Sequence, residues 1–222
     1  MASLATILQS SGLPIQEARI LAAYALGVER VWINAHDRDD IGAQAATGIE
    51  SLYRRRRAGE PVAYLTGERE FFGLSFEVNP TVLIPRPETE LLVDLAIAWL
   101  RQGGRVLDLG TGSGAIAVAI AHHCSAARVV ACDASDGALA MAKSNALRHG
   151  AAVQFVKSDW FAALKRERFD LVVSNPPYIA LEDPHLLQGD LRFEPREALV
   201  AGQEGVECIE ALAAAAREHL VP

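Results

Sequence analysis

From Arg105 onward, short apolar runs alternate with longer segments in which apolar residues recur every three or four positions. Each run is rich in β-branched residues and nearly free of charge, which is typical of a strand buried on both faces of a sheet. The predicted strands cover residues 106–109, 129–133, 153–156 and 169–174. Because strands alternate with helices, we predict an α/β fold with a parallel sheet and right-handed crossovers.

The N-terminal part of the chain shows a helical pattern instead. Amphipathic segments begin close to the N-terminus, at Pro14 and near Ile41, and Gly27 and Gly59 end the second and the third. These segments predict a small helical domain over residues 1–68, which contains no cluster of catalytic residue types.

Residues 69–86 change to short extended runs on either side of Asn79-Pro80. This pattern predicts a linker that forms a β-hairpin, or two extended pieces, around a turn at that dipeptide. Pro87 then suits the first turn of a helix that opens an α/β domain over residues 87–222. The helix is predicted to carry one apolar stripe, at Leu91, Leu92, Leu95 and Trp99.

The net charge of −7 argues against a general nucleic-acid binder, because such a protein needs a surface that neutralises phosphates. The exception is a basic run, Arg54-Arg55-Arg56-Arg57. This run is interpreted either as a solvated last helical turn that complements the helix dipole, or as a docking patch for an acidic partner or RNA.

Three cysteines, Cys124, Cys132 and Cys208, are scattered without the spacing of a metal site, so no metal is expected. The N-terminus lacks the features of a signal peptide, and no apolar run approaches the length of a membrane span. We therefore expect a cytoplasmic protein that does not contact a membrane.

A glycine-rich turn, Gly110-Thr111-Gly112-Ser113-Gly114, follows the first predicted strand of the sheet and precedes a helix. Such a turn brings backbone N–H groups and a helix N-terminus close to a ligand. Asp133 ends the second strand, where a carboxylate can accept hydrogen bonds from ribose hydroxyls. The pattern predicts a cofactor that contains a nucleoside.

The turn also satisfies the G-x-G-x-x-G/A pattern of dinucleotide-binding proteins, so an NAD enzyme is an alternative. The charges favour a different cofactor. Asp108 lies two residues before the first glycine, and no Lys or Arg lies between Val106 and Arg128. A pyrophosphate would meet a carboxylate there without a cation, whereas S-adenosyl-L-methionine brings an ammonium and a sulfonium. We therefore predict S-adenosylmethionine as the cofactor.

Ser158-Asp159-Trp160 follows the third strand. A carboxylate at this place can accept from the adenine amino group, and an indole can stack on the adenine ring. The alternative interpretation is a helix cap followed by a core tryptophan.

The fourth strand stops at Asn175-Pro176-Pro177-Tyr178. Each proline lacks an N–H and holds the preceding residue extended, so the carbonyls here need partners from elsewhere. An Asn amide beside a proline carbonyl can bind a planar NH2 group, and Tyr178 adds a flat wall. The alternative is a proline-terminated loop with an incidental Asn. If the first and fourth strands are neighbours, this tetrapeptide and the glycine turn face one crevice.

Five motifs occur in order along the chain: GEPVAY (59–64), FFG (71–73), LIPRPETE (83–90), VSNPPYI (173–179) and FEPREAL (193–199). Together they resemble the peptide chain release factor glutamine methyltransferase family, over essentially the whole chain from about Arg19 onward. The resemblance implies a Rossmann-like class I S-adenosylmethionine-dependent methyltransferase domain. It also implies methyl transfer to the side-chain amide nitrogen of a glutamine, and a helical domain that helps to bind the release factor.

The resemblance, together with the residue patterns above, implies which positions of this chain bind the cofactor and the substrate. The expected cofactor contacts are Gly110, Thr111, Gly112, Ser113, Gly114, Asp133, Asp159, Trp160 and Asn175. The expected catalytic and substrate-binding residues are Asn175, Pro176, Pro177 and Tyr178, with Phe72 as a further substrate contact.

Members of this family continue beyond the residue that matches Pro222, through the last strands of their sheet. The resemblance therefore implies that the sheet lacks its C-terminal strands here and that the fourth strand is an exposed edge. We expect a monomer without direct contact to nucleic acid. Two alternatives stay open: an amino-methyltransferase acting on adenine or guanine of DNA or RNA, and a catalytically impaired fragment that only binds its partner.

Overall fold

The computed structural model describes residues 3–100 and 103–222, and the chain divides into two compact units. The first unit ends at Gly67 and the second begins at Glu68. The sequence predicts the end of the helical domain one residue later. The residues predicted to form a separate linker belong to the second unit.

The first unit consists mainly of helices around an apolar core. Its helices are α1 (Leu4–Gln9), α2 (Ile15–Leu26), α3 (Arg30–Ala35), α4 (Gly42–Arg57) and α5 (Val62–Thr66). As predicted, α2 begins after Pro14 and ends at Gly27, whose φ is 66°; α3 has no counterpart among the predicted elements. Ile33 and Tyr53 are fully buried, and the Tyr53 hydroxyl donates to the carbonyl of Ala18 at 2.9 Å.

The arginine run lies in the last turn of α4. Three of its members form ion pairs inside the first unit: Arg55 with Glu60, Arg56 with Glu17, and Arg57 with Glu50. Arg57 also donates to the carbonyl of Ser11 at 2.6 Å. These contacts stabilise the helical unit, and they offset three of the four positive charges that a docking patch would offer to an acidic partner.

The second unit begins with a hairpin of β1 (Glu68–Phe71) and β2 (Leu74–Glu77). Its turn is Phe72-Gly73, where φ is 53° and 75°. The predicted turn at Asn79-Pro80 is present, with the N–H of Val82 donating to the carbonyl of Asn79 at 3.1 Å, but the alternative that it joins a hairpin is wrong. The Asn79 side chain also accepts from the backbone N–H of Thr81 at 2.9 Å, in this local turn that follows the hairpin.

The central sheet is parallel, as predicted. Its elements are β3 (Gly104–Leu109), α7 (Ala115–His123), β4 (Ala127–Asp133), α8 (Asp136–Arg148), β5 (Val153–Lys157) and β6 (Leu171–Ser174), after a helix α6 (Glu90–Trp99). The strand order is β5-β4-β3-β6, so the first and fourth predicted strands are neighbours. The order reverses beside β3, which is where ligands bind in sheets of this kind.

The apolar stripe predicted on α6 is mostly wrong. Leu91, Leu95 and Trp99 are 62%, 59% and 71% exposed, whereas Val93 and Ala96 are buried in the core. The helix carries apolar residues on both of its faces, so their spacing alone does not identify the face that packs against α7 and β6.

The C-terminal part of the second unit folds back onto the end of β6. β7 (Ile179–Ala180) pairs with β8 (Val200–Gly202), and α9 (Glu207–Ala216) follows. The N–H of Ile179 donates to the carbonyl of Leu199 at 2.9 Å. This pairing brings the FEPREAL segment (193–199) next to the tetrapeptide that ends β6.

β6 is the outer strand of the central sheet within the described residues, in agreement with the expected edge. Just before β6, Phe169 pairs in parallel with Leu220, through hydrogen bonds that join Phe169 to His219 and Val221 at 2.9 and 3.0 Å. In the described ranges, none of the helices has the length and apolar character required to cross a membrane.

Candidate functional site

A cavity of about 610 Å³ opens at the carboxyl ends of the strands of the central sheet. The turns that follow β3, β4, β5 and β6 all contribute to its wall. Among the predicted site residues, it is lined by Gly110, Thr111, Gly112, Ser113, Asp133, Asp159, Trp160, Asn175, Pro176 and Pro177. The structure therefore places these ten predicted residues around one space.

The glycine turn lies against the ends of β3 and β4. The N–H groups of Gly110 and Thr111 both donate to the carbonyl of Cys132 at 2.9 Å, which fixes the start of the turn. Gly110 has a φ of 71°, and a Cβ there would lie 3.5 Å from the Trp160 ring. It is the positive φ that favours glycine at this position, because a Cβ there would make only an ordinary van der Waals contact with the indole.

Gly114 does not line the cavity and has a packing role instead. Its φ is 82°, and a Cβ there would lie 3.0 Å from the Cβ of Ala142 on α8. It lets α7 begin close against α8.

Asp133 ends β4 and fixes the glycine turn. One carboxylate oxygen accepts from the N–H of Gly112 and the other from the N–H of Ser135, both at 2.9 Å. Each carboxylate oxygen has a further lone pair, so Asp133 can hold the turn and still accept from a ligand in the cavity.

Asp108 is fully buried beneath the glycine turn. Its Oδ2 accepts from the Thr111 hydroxyl at 2.7 Å, and its Oδ1 has no hydrogen-bond partner among the described residues. Burial raises the pKa of this carboxyl to about 7, although the Thr111 hydrogen bond opposes the shift. Negative charge is therefore present directly under the turn once this group ionises.

Trp160 has a φ of 45°, which is strained for a bulky residue. Its carbonyl accepts from the Ser158 hydroxyl at 2.7 Å, and this contact holds the strained backbone in place. The indole therefore forms a fixed wall of the cavity beside Gly110, while Asp159 lies exposed at its rim.

Asn175 and Pro176 follow β6 and line the cavity. The Asn175 side-chain N–H points to the Thr89 hydroxyl at 3.5 Å, which directs the amide oxygen away from Thr89. Neither that oxygen nor the Pro176 carbonyl has a hydrogen-bond partner within the parts of the chain that the structure describes. The pair therefore offers two free acceptors next to each other.

Two predicted substrate residues lie outside this cavity. Tyr178 is 59% exposed and lines a second, smaller cavity next to it. Phe72 occupies the hairpin turn, where the centroid of its ring lies 5.1 Å from that of the His123 ring. Its neighbour Phe71 lines the larger cavity instead.

Several residues that the sequence did not assign also belong to the site. Arg86, Thr89 and Glu197 line the cavity, and Glu194 lies buried behind it. The sequence did contain a signal for these residues, because they occur in two of the five motifs, LIPRPETE and FEPREAL. The local sequence does not show that the two motifs meet.

Asn145 on α8 supports the glycine turn from behind and is fully buried. Its amide N–H groups donate to the carbonyls of Ser113 and Glu77 at 2.8 and 3.0 Å, and its oxygen accepts from the N–H of Glu77 at 2.7 Å. One side chain thus joins the glycine turn, the end of β2 and α8.

The lining of the cavity suits S-adenosylmethionine in its residue types and in its charge. The glycine turn, the fixed indole of Trp160 and the Asp133 carboxylate line one half of the cavity. The charged residues that line it, among those described, are Arg86, Asp133, Asp159 and Glu197, so its wall is acidic on balance. Such a wall favours a cofactor that carries an ammonium and a sulfonium.

Comparisons with known proteins give a consistent result. The Methyltransferase small domain matches residues 87–188, and the PrmC N-terminal domain matches residues 2–67. The release factor glutamine methyltransferase of Bordetella pertussis is 52% identical over all of this chain and 83% of its own length. The Escherichia coli protein of the same name is 44% identical over 96% of this chain and 78% of its own length.

Solved structures support the fold. A methyltransferase from Pyrococcus furiosus superposes with a TM-score of 0.51 and 24% identity, over 78% of this chain and 74% of that protein. A SAM-dependent methyltransferase from Agrobacterium tumefaciens gives a TM-score of 0.51 at 18% identity, over 70% of this chain and 49% of that protein.

Proposed function

This chain belongs to the release factor glutamine methyltransferase family, and we propose that it transfers a methyl group from S-adenosylmethionine to the side-chain amide nitrogen of a glutamine in a peptide chain release factor. The observation that carries this proposal is the pair of free acceptors, Asn175 Oδ1 and the Pro176 carbonyl, at the cofactor cavity. Two adjacent acceptors match the two hydrogens of a carboxamide NH2 group.

S-adenosylmethionine supplies an electrophilic methyl group when it is bound. The residues proposed to hold it are the glycine turn 110–113, Asp133, Asp159 and Trp160, with Asn175 at the boundary to the substrate. The glycine turn forms the wall against which the cofactor lies, the Asp133 carboxylate accepts hydrogen bonds from its hydroxyl groups, and the indole of Trp160 provides a stacking surface. The role of Gly114 is to let the turn pack closely against α8.

An amide nitrogen is a weak nucleophile because its lone pair is delocalised into the carbonyl. Asn175 and Pro176 bind its two hydrogens and so aim the nitrogen at the methyl group. Orientation of this kind contributes roughly 7–11 kcal/mol in favourable systems. As positive charge develops on the nitrogen, the two acceptors bind its hydrogens more strongly, which stabilises the transition state selectively. The nitrogen gains the methyl group as the bond from that methyl to sulfur breaks, so that S-adenosylhomocysteine is left, and one N–H proton of the methylated amide then passes to water.

Pro177 keeps Pro176 extended, so that its carbonyl stays directed outward. Tyr178, at the neighbouring small cavity, forms part of the surface for the peptide around the glutamine. The role of Phe72 is to shape the hairpin turn, whose other aromatic residue, Phe71, lines the cavity.

We further propose that the helical first unit takes part in binding the release factor, and that the enzyme acts as a monomer in the cytoplasm. The match of this unit to the PrmC N-terminal domain supports a family-specific role.

The test is incubation of the purified chain with labelled S-adenosylmethionine and either a release factor, duplex DNA or RNA. The proposal predicts label in the release factor only. Label in nucleic acid, with none in the release factor, would identify an amino-methyltransferase acting on bases. Binding of the release factor without transfer would identify a chain that has lost catalysis.

A further inference from the structure

Arg86 lies where the larger cavity meets a second cavity of about 120 Å³. It lines both cavities, as does Pro176 of the acceptor pair. The smaller cavity is otherwise formed by apolar and aromatic residues such as Tyr178 and Leu191, and no residue of the glycine turn reaches it. Arg86 is therefore on the side of the site where the substrate is proposed to bind.

The guanidinium of Arg86 is held in place by Glu194. The Glu194 side chain is completely buried and bonds Arg86 Nη2 at 2.5 Å through Oε1. Its Oε2 accepts from the N–H of Ile84 at 3.0 Å. A buried carboxylate with both oxygens bonded fixes the arginine head group and, with it, the position of the FEPREAL segment over the cavity.

The ion pair with Glu194 uses only one nitrogen of the Arg86 guanidinium. No hydrogen bond from Nε or Nη1 of Arg86 reaches any described residue, and the side chain is 28% exposed. Arg86 is also the sole cation among the described residues that line the larger cavity. Its free N–H groups thus complement Asn175 and Pro176, which offer acceptors only.

We propose that Arg86 binds the protein substrate by donating to a main-chain carbonyl next to the target glutamine, and that Glu194 is the positioning residue for this contact. The inference rests on the proposed function. A peptide that enters the site loses water from its carbonyl groups, which then need donors. The carboxamide oxygen of the glutamine is a poor alternative, because a cation there would draw the lone pair away from the attacking nitrogen.

The first test compares the Arg86→Lys variant with the wild-type chain, using a release factor as substrate. Lysine keeps a positive charge beside Glu194 but lacks the planar set of donors. A main-chain contact is made equally in the ground and transition states, so its loss raises KM and leaves kcat nearly unchanged. We expect KM for the release factor to rise roughly tenfold or more, as for the loss of a hydrogen bond to a charged group.

A second variant, Arg86→Gln with Glu194→Gln, removes both charges, while the carboxamide oxygen introduced at position 194 can still accept from the N–H of Ile84. It should show the same rise in KM. Calorimetric affinity for S-adenosylhomocysteine should stay within about twofold of the wild type in both variants.

Three outcomes are distinguishable. Unchanged KM for the release factor in both variants would overturn the inference while leaving the proposed function intact. A loss of S-adenosylhomocysteine affinity as large as the rise in KM would assign Arg86 to the cofactor's carboxylate and would also overturn it. Absence of methyl transfer by the wild-type chain would remove the proposed function, and this inference with it.

Discussion

At the scale of single residues, Asn175 has the most direct proposed role in the reaction. Its amide oxygen binds a hydrogen of the attacking nitrogen and gains strength as that nitrogen becomes positive. Replacing it with alanine should lower kcat by at least about two orders of magnitude, in line with the loss of an aligned transition-state group. Single-turnover kinetics with a release factor measure this change.

Ser174 is the matched control for Asn175. Its hydroxyl bonds the carbonyl of Leu109 at 2.7 Å, and it does not line the cavity. Ser174→Ala should therefore keep kcat within a few-fold of the wild type. A wild-type kcat for Asn175→Ala would exclude Asn175 from the mechanism.

The buried carboxyl of Asp108 should make the stability of the fold depend on pH. Its pKa is raised to about 7, whereas an aspartate in an unfolded chain titrates near 3.9. Between these values the folded state holds a proton that the unfolded state has lost, so stability falls as the pH rises through this window. The Asp108→Asn variant has no carboxyl to ionise at this position, so the variant does not lose stability in this way. The free energy of unfolding of the variant minus that of the wild type should therefore increase by roughly 2–3 kcal/mol between pH 5 and pH 8.

Urea unfolding of both proteins at several pH values measures this difference. Thr111 can still donate to the asparagine oxygen, so the local hydrogen bond is kept. A difference in stability that does not change with pH would show that the carboxyl titrates normally.

The acceptor pair and the glycine turn were predictable residue by residue because each is a short contiguous motif. Arg86 and Glu194 could not be assigned in this way. Glu194 meets Ile84 across 110 positions of sequence, and only the folded chain shows that this acidic residue is buried and bonded. Thr89 became recognisable as a partner of Asn175 for the same reason.

At the scale of elements, the β1–β2 hairpin and the cofactor turn are joined through Asn145. Asn145→Ala leaves the buried Ser113 carbonyl and the half-buried carbonyl and N–H of Glu77 without that partner. A buried group left unsatisfied costs about 1–3 kcal/mol. We expect a marked loss of stability together with weaker binding of S-adenosylhomocysteine, because the Ser113 carbonyl is no longer held.

Ser144 provides the control for this element. It lies on the same helix and bonds the Glu77 side chain at 2.8 Å, but it makes no contact with the glycine turn. Ser144→Ala should change both quantities little, as exposed substitutions do. Equal effects of the two substitutions on cofactor affinity would contradict a role of Asn145 in the turn.

The strands of the sheet were predictable because each is a short, uncharged, β-branched run between glycine-rich or proline-rich breaks. The hairpin turn was not, because Phe72 adopts a positive φ that the sequence Phe-Gly does not specify. The inner face of α6 was also misassigned. Its apolar residues occupy both faces, and only packing against α7 and β6 decides which face is buried.

At the scale of the whole molecule, the proposed cofactor contacts all belong to the second unit. Binding of S-adenosylhomocysteine should slow hydrogen exchange at 108–114, 133–135 and 158–160 and at the amide of Asn175, where backbone groups line or support the cavity. Residues 3–67 should exchange at unchanged rates. Protection confined to the first unit would place the cofactor site elsewhere.

The most direct test of the central claim is tandem mass spectrometry of a release factor after incubation with the chain and S-adenosylmethionine. We expect one added methyl group, located on the side-chain nitrogen of a glutamine. The modification should be absent when that glutamine is replaced by glutamate and strongly reduced with the Asn175→Ala enzyme. A methyl group on any other side chain, or one that persists after loss of the glutamine, would contradict it.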